Sequence, residues 1–456
     1  MRLLRRIGVL ILVLTLGLFL TGCELQANPT KTEATSTQAK NVYELAVEDG
    51  FQGSLDEWFL SLLENGSYNN LYDLAVEEGL FNGTLEEFIA SLKGSDGKTS
   101  IVNSAQTSLL STVSIFCTFT ITTSYSNWPF GGRTQTQVSQ ATSAGSGVIY
   151  LTEDDGTAYI ITNYHVLYYK NADSQISDDI YVYLYGMEYT DYQIEATYVG
   201  GSMAYDIAVI KVKSDYLKKD SGYPYKAVAL GDSKSIQVGE SVLAVGNPEA
   251  EGLSVTNGII SVKSETLEMY LADGKTVGTI RVLRIDAAVN SGNSGGGLYN
   301  DNGELIGIVN AKSVDEEIEG MCYAIPVNLA KSIADNIIEN CNGSSSTTIK
   351  RVYLGITTKI SSSRAYYDEA SNILSTVQEI AVESVKSSGD SYGILQVGDV
   401  IINATFNNKT YIIDSAYALE DVLLNARKGD TIDLYILRSG EYKTVTIKFQ
   451  SDTTIE

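Results

Sequence analysis

The sequence predicts a mainly β protein that carries a small helical segment near its N-terminus. Apolar runs of strand length, bounded by polar residues or glycine, recur in the middle and C-terminal parts, as at 204–212 and 304–309. The chain has 456 residues, which is enough for more than one core. Its thirty tyrosines and five prolines fit a folded, β-rich protein rather than a disordered one.

The overall charge argues against nucleic acid as a partner. The chain has 56 Asp and Glu against 32 Lys and Arg, a formal net charge of -24 at pH 7. No basic patch or arginine-rich stretch stands out, although proteins that bind nucleic acid carry such a stretch to meet the phosphates. We therefore predict protein or peptide partners.

The N-terminus, residues 1–22, has the pattern of an export signal, with three arginines followed by an apolar run at 7–20. This apolar run is shorter than the roughly 20 residues that a membrane-spanning helix needs. The sequence LTGC at 20–23 resembles the lipobox of bacterial lipoproteins, which implies cleavage before Cys23 and lipidation of that cysteine. The chain would then be lipid-anchored on the extracytoplasmic face of the cell membrane, with 23–40 as a polar tether. An ordinary secretory signal is the alternative.

A tandem repeat follows at 41–94. Residues 42–51 return as 71–80, and residues 54–59 return as 84–89. In each copy a glycine closes a first short helix, and a Ser/Thr-x-x-Glu capping box opens a second. The segment carries eleven acidic residues and one lysine. We predict two small acidic helical repeats whose charged face is a solvated surface, a spacer or a docking element. A linker is expected at 95–104.

A serine lies among glycines at 290–298, in the sequence NSGNSGGGL. Glycine permits backbone angles that other residues adopt only at a cost, and it leaves room for a close approach of the backbone. Predicted strands flank the loop at 285–289 and 304–309. Such a loop can hold a nucleophile, Ser294, together with backbone N–H donors. A tight turn in a β domain is the alternative interpretation.

The single histidine, His165, ends an apolar strand at 159–167, and Asp206 lies at the start of another strand. Histidine is the side chain best suited to move a proton at neutral pH, and a carboxylate can orient it. The order His, Asp, Ser is that of the chymotrypsin-like double barrel. Each residue also has a structural alternative, a core histidine or a solvated acid. The competing acids are Asp178, Asp179, Asp191 and Asp286.

The segment 105–341 resembles the HtrA/DegP-like serine proteases, which are trypsin-fold enzymes of the cell envelope. The resemblance is carried by ordered blocks: GSGV at 145–148, TNYHV at 162–166, DIAVIKV at 206–212, LGDS at 230–233, VGE at 238–240, VGNP at 245–248, VTNGIIS at 255–261, the serine loop and YAIP at 323–326. It implies a chymotrypsin-like double β-barrel with His165 as general base and acid, Asp206 as its orienting residue and Ser294 as nucleophile. The N–H groups of Gly292 and Ser294 would form the oxyanion hole, and no cofactor or metal is implied.

One departure from the family pattern concerns the oxyanion hole. The family usually has proline where this chain has Ser291, and again where it has Gly297. Without proline the backbone angle φ of Ser291 is less restricted, so the Ser291–Gly292 peptide could flip away from its donor orientation. Our hypothesis is that the resting enzyme is weakly active and becomes ordered when peptide binds.

A second linker is expected at 342–349, and the segment 350–450 resembles a PDZ domain. The matching pieces are YLGI at 353–356, GIL at 393–395, GDVI at 398–401 and RKGD at 427–430. In that fold a peptide adds as a strand to a sheet edge, and backbone N–H groups capture its C-terminal carboxylate. The positions implied here are Tyr353, Leu354, Gly355 and Ile356. A small β-rich domain that merely packs on the protease is the alternative.

Three cysteines remain after Cys23. Cys117, Cys322 and Cys341 allow at most one disulfide, and their spacing fits no metal site. Cys117 lies in an apolar strand and is expected to be buried.

Together these patterns predict a membrane-anchored serine endopeptidase that cleaves unfolded or misfolded extracytoplasmic proteins, with a homotrimer as the assembly that the resemblance implies. The alternatives are a non-catalytic, chaperone-like peptide-binding lipoprotein and a surface spacer or adhesin.

Overall fold

The computed structural model describes residues 97–126, 134–187, 192–219, 221–311, 321–340, 349–368 and 373–455. The predicted export signal, the lipidation site Cys23, the tether and the acidic repeats lie outside these ranges. Across the described ranges, none of the helices combines the length and the apolar composition that a membrane span requires.

The first described element is a helix, α1 (Gly97–Leu109), where the sequence predicted a linker at 95–104. The described part of this predicted linker, from Gly97 onward, is helical, and neither glycine nor proline interrupts the helix after Gly97. Three side chains spaced four residues apart pack against the apolar core: Ile101, Ala105 and Leu109. The Ser104 hydroxyl also donates to the Asn300 carbonyl at 2.8 Å. Tertiary contacts therefore hold this helix in place.

Six antiparallel strands close into a first barrel in the order β1-β2-β3-β6-β5-β4. The strands are β1 (Thr112–Ser126), β2 (Thr134–Thr152), β3 (Thr157–Thr162), β4 (Asp179–Leu184), β5 (Ile194–Ser202) and β6 (Ile207–Lys213), with a helical turn α2 (Tyr164–Leu167) after β3. Alternate residues point inward, so that β4 buries Ile180, Val182 and Leu184. The polar, Trp- and Gly-containing sequence at 122–143 predicts a loop. The described residues of this segment are strand instead, because β1 pairs with β2 as far as Ser126 and Thr134.

A second barrel has the order β10-β11-β12-β9-β8-β7. Its strands are β7 (Ser241–Gly246), β8 (Ser254–Tyr270), β9 (Val277–Ile285), β10 (Gly297–Tyr299), β11 (Leu305–Asn310) and β12 (Cys322–Pro326), followed by the helix α3 (Val327–Asn340). The strand expected at 285–289 is wrong beyond Ile285. The Asp286 carboxylate accepts the Ile259 N–H at 2.6 Å, and the chain then leaves the sheet to form the serine loop.

The C-terminal domain spans 349–455. It contains β13 (Ile349–Val352), β14 (Ile356–Asp368), β15 (Ile373–Val385), β16 (Val400–Phe406), β17 (Lys409–Ile412), α4 (Ala418–Leu423), β18 (Thr431–Arg438), β19 (Glu441–Lys448) and β20 (Asp452–Ile455). The main sheet runs β14-β15-β16-β18-β19, β17 pairs with β16, and β13 pairs with β20. Its core is apolar and includes Leu354, Phe406 and Leu434.

Helix α4 of the C-terminal domain packs on the two barrels. The Arg281 guanidinium donates two hydrogen bonds to the Asp421 carboxylate, at 3.0 and 2.7 Å. The hydroxyl of Tyr205 donates to Glu420 at 3.0 Å. Burial, and then the nearby Glu420 charge, raise the pKa of Tyr205, which keeps this hydroxyl protonated as a donor.

Two of the cysteines lie within the described residues. Cys117 and Cys322 are free thiols, and Cys117 is buried as expected. Burial raises the pKa of the Cys117 thiol to about 12, so this thiol stays protonated and unreactive. Cys341 lies outside the described residues.

Candidate active site

The fold brings His165 and Asp206 together although 41 positions separate them in the chain. His165 belongs to α2, directly after β3, and Asp206 directly precedes β6. Strands β3 and β6 are antiparallel neighbours, with Thr162 opposite Ala208, so the end of one lies beside the start of the other. Both side chains therefore emerge at the same rim of the first barrel.

The Asp206 carboxylate binds His165 through two hydrogen bonds. His165 Nδ1 lies 2.7 Å from Asp206 Oδ2, and the His165 backbone N–H donates to Oδ1 at 3.0 Å. Since a carboxylate is an acceptor, Nδ1 is the donor, and in the neutral imidazole Nε2 then keeps its lone pair. The imidazole is thus held in the tautomer that a general base requires.

The backbone of Asp206 is itself unusual. Its φ angle is +50°, in the left-handed region that aspartate tolerates better than most residues. Its carbonyl accepts hydrogen bonds from Asn163 Nδ2 at 2.8 Å and from the Tyr164 N–H at 3.3 Å. The residue is only 5% exposed. These contacts hold a strained residue in one orientation, which is the pattern typical of functional sites.

Sequence reasoning missed Asn310. This residue ends β11 of the second barrel, is 3% exposed, and donates from Nδ2 to Asp206 Oδ2 at 2.9 Å. It is therefore the link by which the second barrel holds the carboxylate of the first. The only sequence signal was a polar residue at the end of an apolar strand, which is too common to single out a site.

The serine loop depends on glycine at two positions. Gly292 has φ +95° and Gly295 has φ +83°. A Cβ atom at Gly292 would come within 2.1 Å of the Asn247 carbonyl oxygen, and one at Gly295 within 2.2 Å of the Ser146 carbonyl oxygen. Both the backbone angle and the available space therefore exclude other residues.

Two hydrogen bonds fix the peptide planes before the serine. The Glu249 N–H donates to the Ser291 carbonyl at 2.9 Å, and the buried Ser146 hydroxyl donates to the Gly292 carbonyl at 2.8 Å. In a trans peptide the N–H points opposite to the carbonyl, so the Gly292 N–H is directed away from Glu249. Neither this N–H nor that of Ser294 donates to an acceptor within the described residues. The Ser291 carbonyl is thus restrained although proline is missing.

The Ser294 hydroxyl forms its hydrogen bond within the second barrel. Ser294 is 6% exposed, and its Oγ accepts the Ala311 N–H at 3.2 Å. The hydrogen bonds of the described residues include none between Ser294 and His165. Hydrogen bonds therefore join His165 to Asp206 in the first barrel. The Ser294 hydroxyl is instead hydrogen-bonded to Ala311 of the second barrel.

Comparison with known proteins assigns the family. Residues 145–308 match the trypsin-like peptidase domain. The chain is 32% identical to the serine endoprotease DegS of Haemophilus influenzae, over 68% of this chain and 77% of that relative. The chain belongs to the HtrA family of trypsin-like serine proteases. Membership in the HtrA family confirms the mainly β trypsin-like fold that the sequence predicted.

Other HtrA relatives share the same region. The serine protease Do-like HtrA of Bacillus subtilis is 34% identical over 67% of this chain, which spans only 63% of that relative's length. A relative from Halomonas elongata, described as a probable periplasmic serine endoprotease that is DegP-like, is 30% identical over 67% of this chain and 56% of its own length. A solved HtrA-type protease, AlgW with a decapeptide, is 28% identical over 77% of this chain and 98% of its own, with a TM-score of 0.48.

Of the four positions predicted to bind a carboxylate, Tyr353, Leu354 and Gly355 form the turn between β13 and β14, and Ile356 begins β14. Gly355 has φ +74° and leaves no room for a side chain against Gly389. The carbonyls of this turn are all held: Tyr353 by the Asp390 N–H at 3.3 Å, Leu354 by the Ser391 N–H at 3.1 Å, and Gly355 by the Lys386 N–H at 2.7 Å. The neighbouring N–H groups of the turn therefore face the opposite side.

Proposed function

We propose that this HtrA-family chain is a membrane-anchored serine endopeptidase that cleaves unfolded or misfolded extracytoplasmic proteins. The observation that carries the proposal is the 2.7 Å hydrogen bond between His165 Nδ1 and Asp206 Oδ2, beside a glycine loop that bears Ser294. Support also comes from the relatives, of which one is named an endoprotease and another a periplasmic one.

The chemistry begins when the Ser294 side chain rotates from the Ala311 N–H toward His165. Nε2 of His165 takes the hydroxyl proton while Oγ attacks the carbonyl carbon of the substrate peptide. The oxyanion that forms accepts hydrogen bonds from the N–H groups of Gly292 and Ser294. Nε2 then returns the proton to the leaving amine, and an acyl-enzyme remains on Ser294.

The second half of the reaction reuses the same groups. Water enters after the amine leaves, His165 Nε2 takes one of its protons, and the oxygen attacks the acyl carbon. The second oxyanion occupies the same pair of N–H donors. Its collapse returns the proton to Ser294 Oγ and releases the carboxylic acid product, which restores the starting enzyme.

The C-terminal domain is proposed to act as a PDZ domain. The N–H groups of the turn after Tyr353 would bind the C-terminal carboxylate of a peptide, and the peptide would add as a strand to β14. The support is the positive φ angle of Gly355 and the three carbonyls of this turn, which accept hydrogen bonds from backbone N–H groups at 386–391. The half-buried apolar side chains of Ile356 and Leu423 would border the groove.

Membrane attachment is proposed through lipidation of Cys23, which lies outside the described residues. The support is the lipobox-like sequence at 20–23 after a short apolar run. Each buried methylene of an acyl chain adds about 0.8 kcal/mol to membrane affinity, so that two chains anchor a protein stably.

The proposed activity is tested by Ser294→Ala, which removes the nucleophile. We expect casein cleavage to fall by about 10⁶-fold and fluorophosphonate labelling to disappear, while the far-UV circular dichroism spectrum stays unchanged. The control is Ser264→Ala, which removes an exposed hydroxyl of β8 and should leave both readouts intact. Cleavage that persists in Ser294→Ala would show that the nucleophile is another residue. Absence of cleavage and labelling in the unmodified chain would favour the non-catalytic peptide-binding alternative.

A further inference from the structure

Strands β14 and β15 extend beyond the sheet of the C-terminal domain as a two-stranded ribbon. They pair with each other over 356–368 and 373–385. However, β15 pairs with the next strand, β16, only at Ile380 and Ala381. Among the residues that the structure describes, no third strand pairs with the part of the hairpin outside this contact. An isolated two-stranded ribbon is only marginally stable in water.

The outer edge of β14 pairs with no other strand of the described residues. The sheet ends at β14, so this strand of 13 residues has β15 on one side and no strand of the described residues on the other. Natural proteins usually shorten or cover such an edge, because its free N–H and C=O groups can pair with another strand. An edge of about 44 Å that is kept open has room for a long extended segment.

Two basic residues lie on the edge strand β14. Lys359 and Arg364 are exposed, and neither forms a salt bridge within the described residues. Their cross-strand neighbours, Ala381 and Val377, are uncharged. Glu379 lies between these two neighbours on β15, opposite Ser362, but forms no salt bridge with either cation within the described residues. In a chain whose net charge is -24, two cations of this kind on one strand stand out.

A β-bulge aligns the two cations. The pairing register shifts by one residue between Ile360 and Ser362. The cross-strand partners of Lys359 and Arg364 are consequently four residues apart on β15, which puts both basic residues on the same face of the ribbon. Tyr366, which is 52% exposed, follows two residues later on that face.

The open edge begins at the turn where the proposed function binds a carboxylate. A peptide held there and running antiparallel to β14 would pass Lys359 and then Arg364 with its upstream residues. We infer that β14 binds an extended peptide of about eleven residues rather than only a C-terminal tip. We also infer that Lys359 and Arg364 select acidic side chains about four and about eight positions before the carboxylate. This inference rests on the proposed peptide binding by the C-terminal domain.

The test uses the full chain carrying Ser294→Ala, so that ligands are not cleaved. It is exposed to a randomised library of fourteen-residue peptides with free C-termini. We expect selection at the last residue and, independently, enrichment of Asp and Glu at the two upstream positions. Arg364→Glu and Lys359→Glu should remove the upstream enrichment and keep the selection at the last residue. The matched control is Lys448→Glu, a charge reversal on the opposite edge strand β19, which should change neither.

A binding measurement completes the test. A selected fourteen-residue peptide should bind about tenfold more tightly than its last five residues, and Arg364→Glu should bring the two affinities within about twofold. Selection confined to the last four residues would overturn the inference and leave the proposed function intact. In that case the basic residues only guard the edge against aggregation. Absence of any selection would overturn both.

Discussion

The two barrels of this HtrA-family chain differ in the hydrogen bonds that hold the side chains proposed for catalysis. In the first barrel, His165 and Asp206 are joined by two hydrogen bonds, and the tautomer of the imidazole is set. In the second, the serine loop has a fixed backbone, but the hydroxyl of Ser294 is bonded to Ala311 of its own barrel. The proposed base is therefore hydrogen-bonded to its carboxylate, whereas no hydrogen bond joins it to the proposed nucleophile within the described residues. In the proposed mechanism, rotation of the Ser294 side chain brings the two together.

The two barrels also reach their strained backbone angles differently. The first barrel places a left-handed angle on Asp206, because a carboxylate is needed at that position. The second uses glycine at 292 and 295, and concentrates its non-glycine strain in Glu249 and Ala250, with φ of 54° and 61°. Glu249 is the residue whose N–H holds the Ser291 carbonyl. Strain in the second barrel thus supports the peptide proposed to form the oxyanion hole rather than a side chain proposed to react.

The largest expected effect comes from disrupting the hydrogen-bonded pair of His165 and Asp206 in the first barrel. In Asp206→Asn the amide can no longer hold the imidazole in the required tautomer, and we expect kcat to fall by about 10⁴-fold. The measurement is the cleavage rate of a peptide substrate at saturation. The control is Asp286→Asn, which changes an exposed acid close to Ser294 in sequence and should retain near-normal kcat. A loss below about tenfold in Asp206→Asn would mean that the base is organised by another group.

The second effect concerns the serine loop. Ser146→Ala removes the hydroxyl that donates to the Gly292 carbonyl and accepts the Asn247 N–H, both at 2.8 Å. We expect a loss of about 1–3 kcal/mol in the free energy of unfolding and a fall of about 10²-fold in kcat. Urea denaturation and steady-state kinetics measure the two.

The matched control for this variant is Ser114→Ala. Ser114 is also fully buried, but its hydroxyl has no partner within the described residues. Its removal should leave both readouts nearly unchanged. If the two variants behaved alike, the loop would not depend on the Ser146 hydrogen bonds, and the contrast between a fixed loop and a movable hydroxyl would be lost.

The third effect tests the bridge between the barrels. Asn310→Ala removes the hydrogen bond from the second barrel to Asp206, and a bond to a charged group is worth about 1.5–3 kcal/mol. We expect kcat to fall by at least about tenfold while KM changes by less than about twofold, because Asn310 positions the carboxylate rather than the substrate. Asn310→Ser, which keeps a donor, should recover part of the rate. A change confined to KM would instead assign Asn310 to substrate binding.

The smallest effect concerns Tyr164, the buried residue next to the proposed general base His165. Burial raises the pKa of Tyr164 to about 12, with a smaller contribution from Tyr168. Below about pH 10 the tyrosine is neutral in both the folded and the unfolded chain, so stability is unaffected there. Above that pH only the unfolded chain ionises, and stability should fall by about 1.4 kcal/mol per pH unit up to about pH 12.

This pH dependence separates a buried tyrosine from an exposed one. Tyr164→Phe should remove that contribution to the slope of unfolding free energy against pH, as measured by denaturation between pH 9 and 12. Tyr270→Phe, at a position that is 62% exposed, should keep the slope of the unmodified chain. Equal slopes in all three proteins would show that the first barrel opens to water around Tyr164.

Sequence alone predicted the residues with distinctive chemistry. It missed the residues whose role depends on hydrogen bonds between segments that are distant in the chain. His165 is the only histidine, and Ser294 lies in a run of glycines, so residue type and neighbours were enough to propose both. Asn310 was missed because its role depends on the approach of two barrels, which no local pattern encodes. The same holds for Ser146, which belongs to the GSGV block but carries no local signal of its role.

The predicted elements failed where tertiary context outweighs composition. The β1–β2 hairpin was expected to be a loop at 122–143, because both of its faces are polar and exposed and hydrophobic alternation is therefore weak. Helix α1 was expected to be a linker, because it is held by packing rather than by a strong helical pattern. The strand predicted at 285–289 ended early, since the Asp286 side chain takes over a backbone hydrogen bond.

The most direct test of the account is a crystal structure of the chain after reaction with a fluorophosphonate. We expect phosphorus bonded to Ser294 Oγ, its oxygen within hydrogen-bond distance of the Gly292 and Ser294 N–H groups, and the Ala311 N–H released from Oγ. His165 should remain on Asp206, and the Ser291 carbonyl should remain on Glu249. An adduct on another residue, or a flipped peptide between Ser291 and Gly292, would contradict the claim that the resting site differs from the reactive one only in the Ser294 side chain.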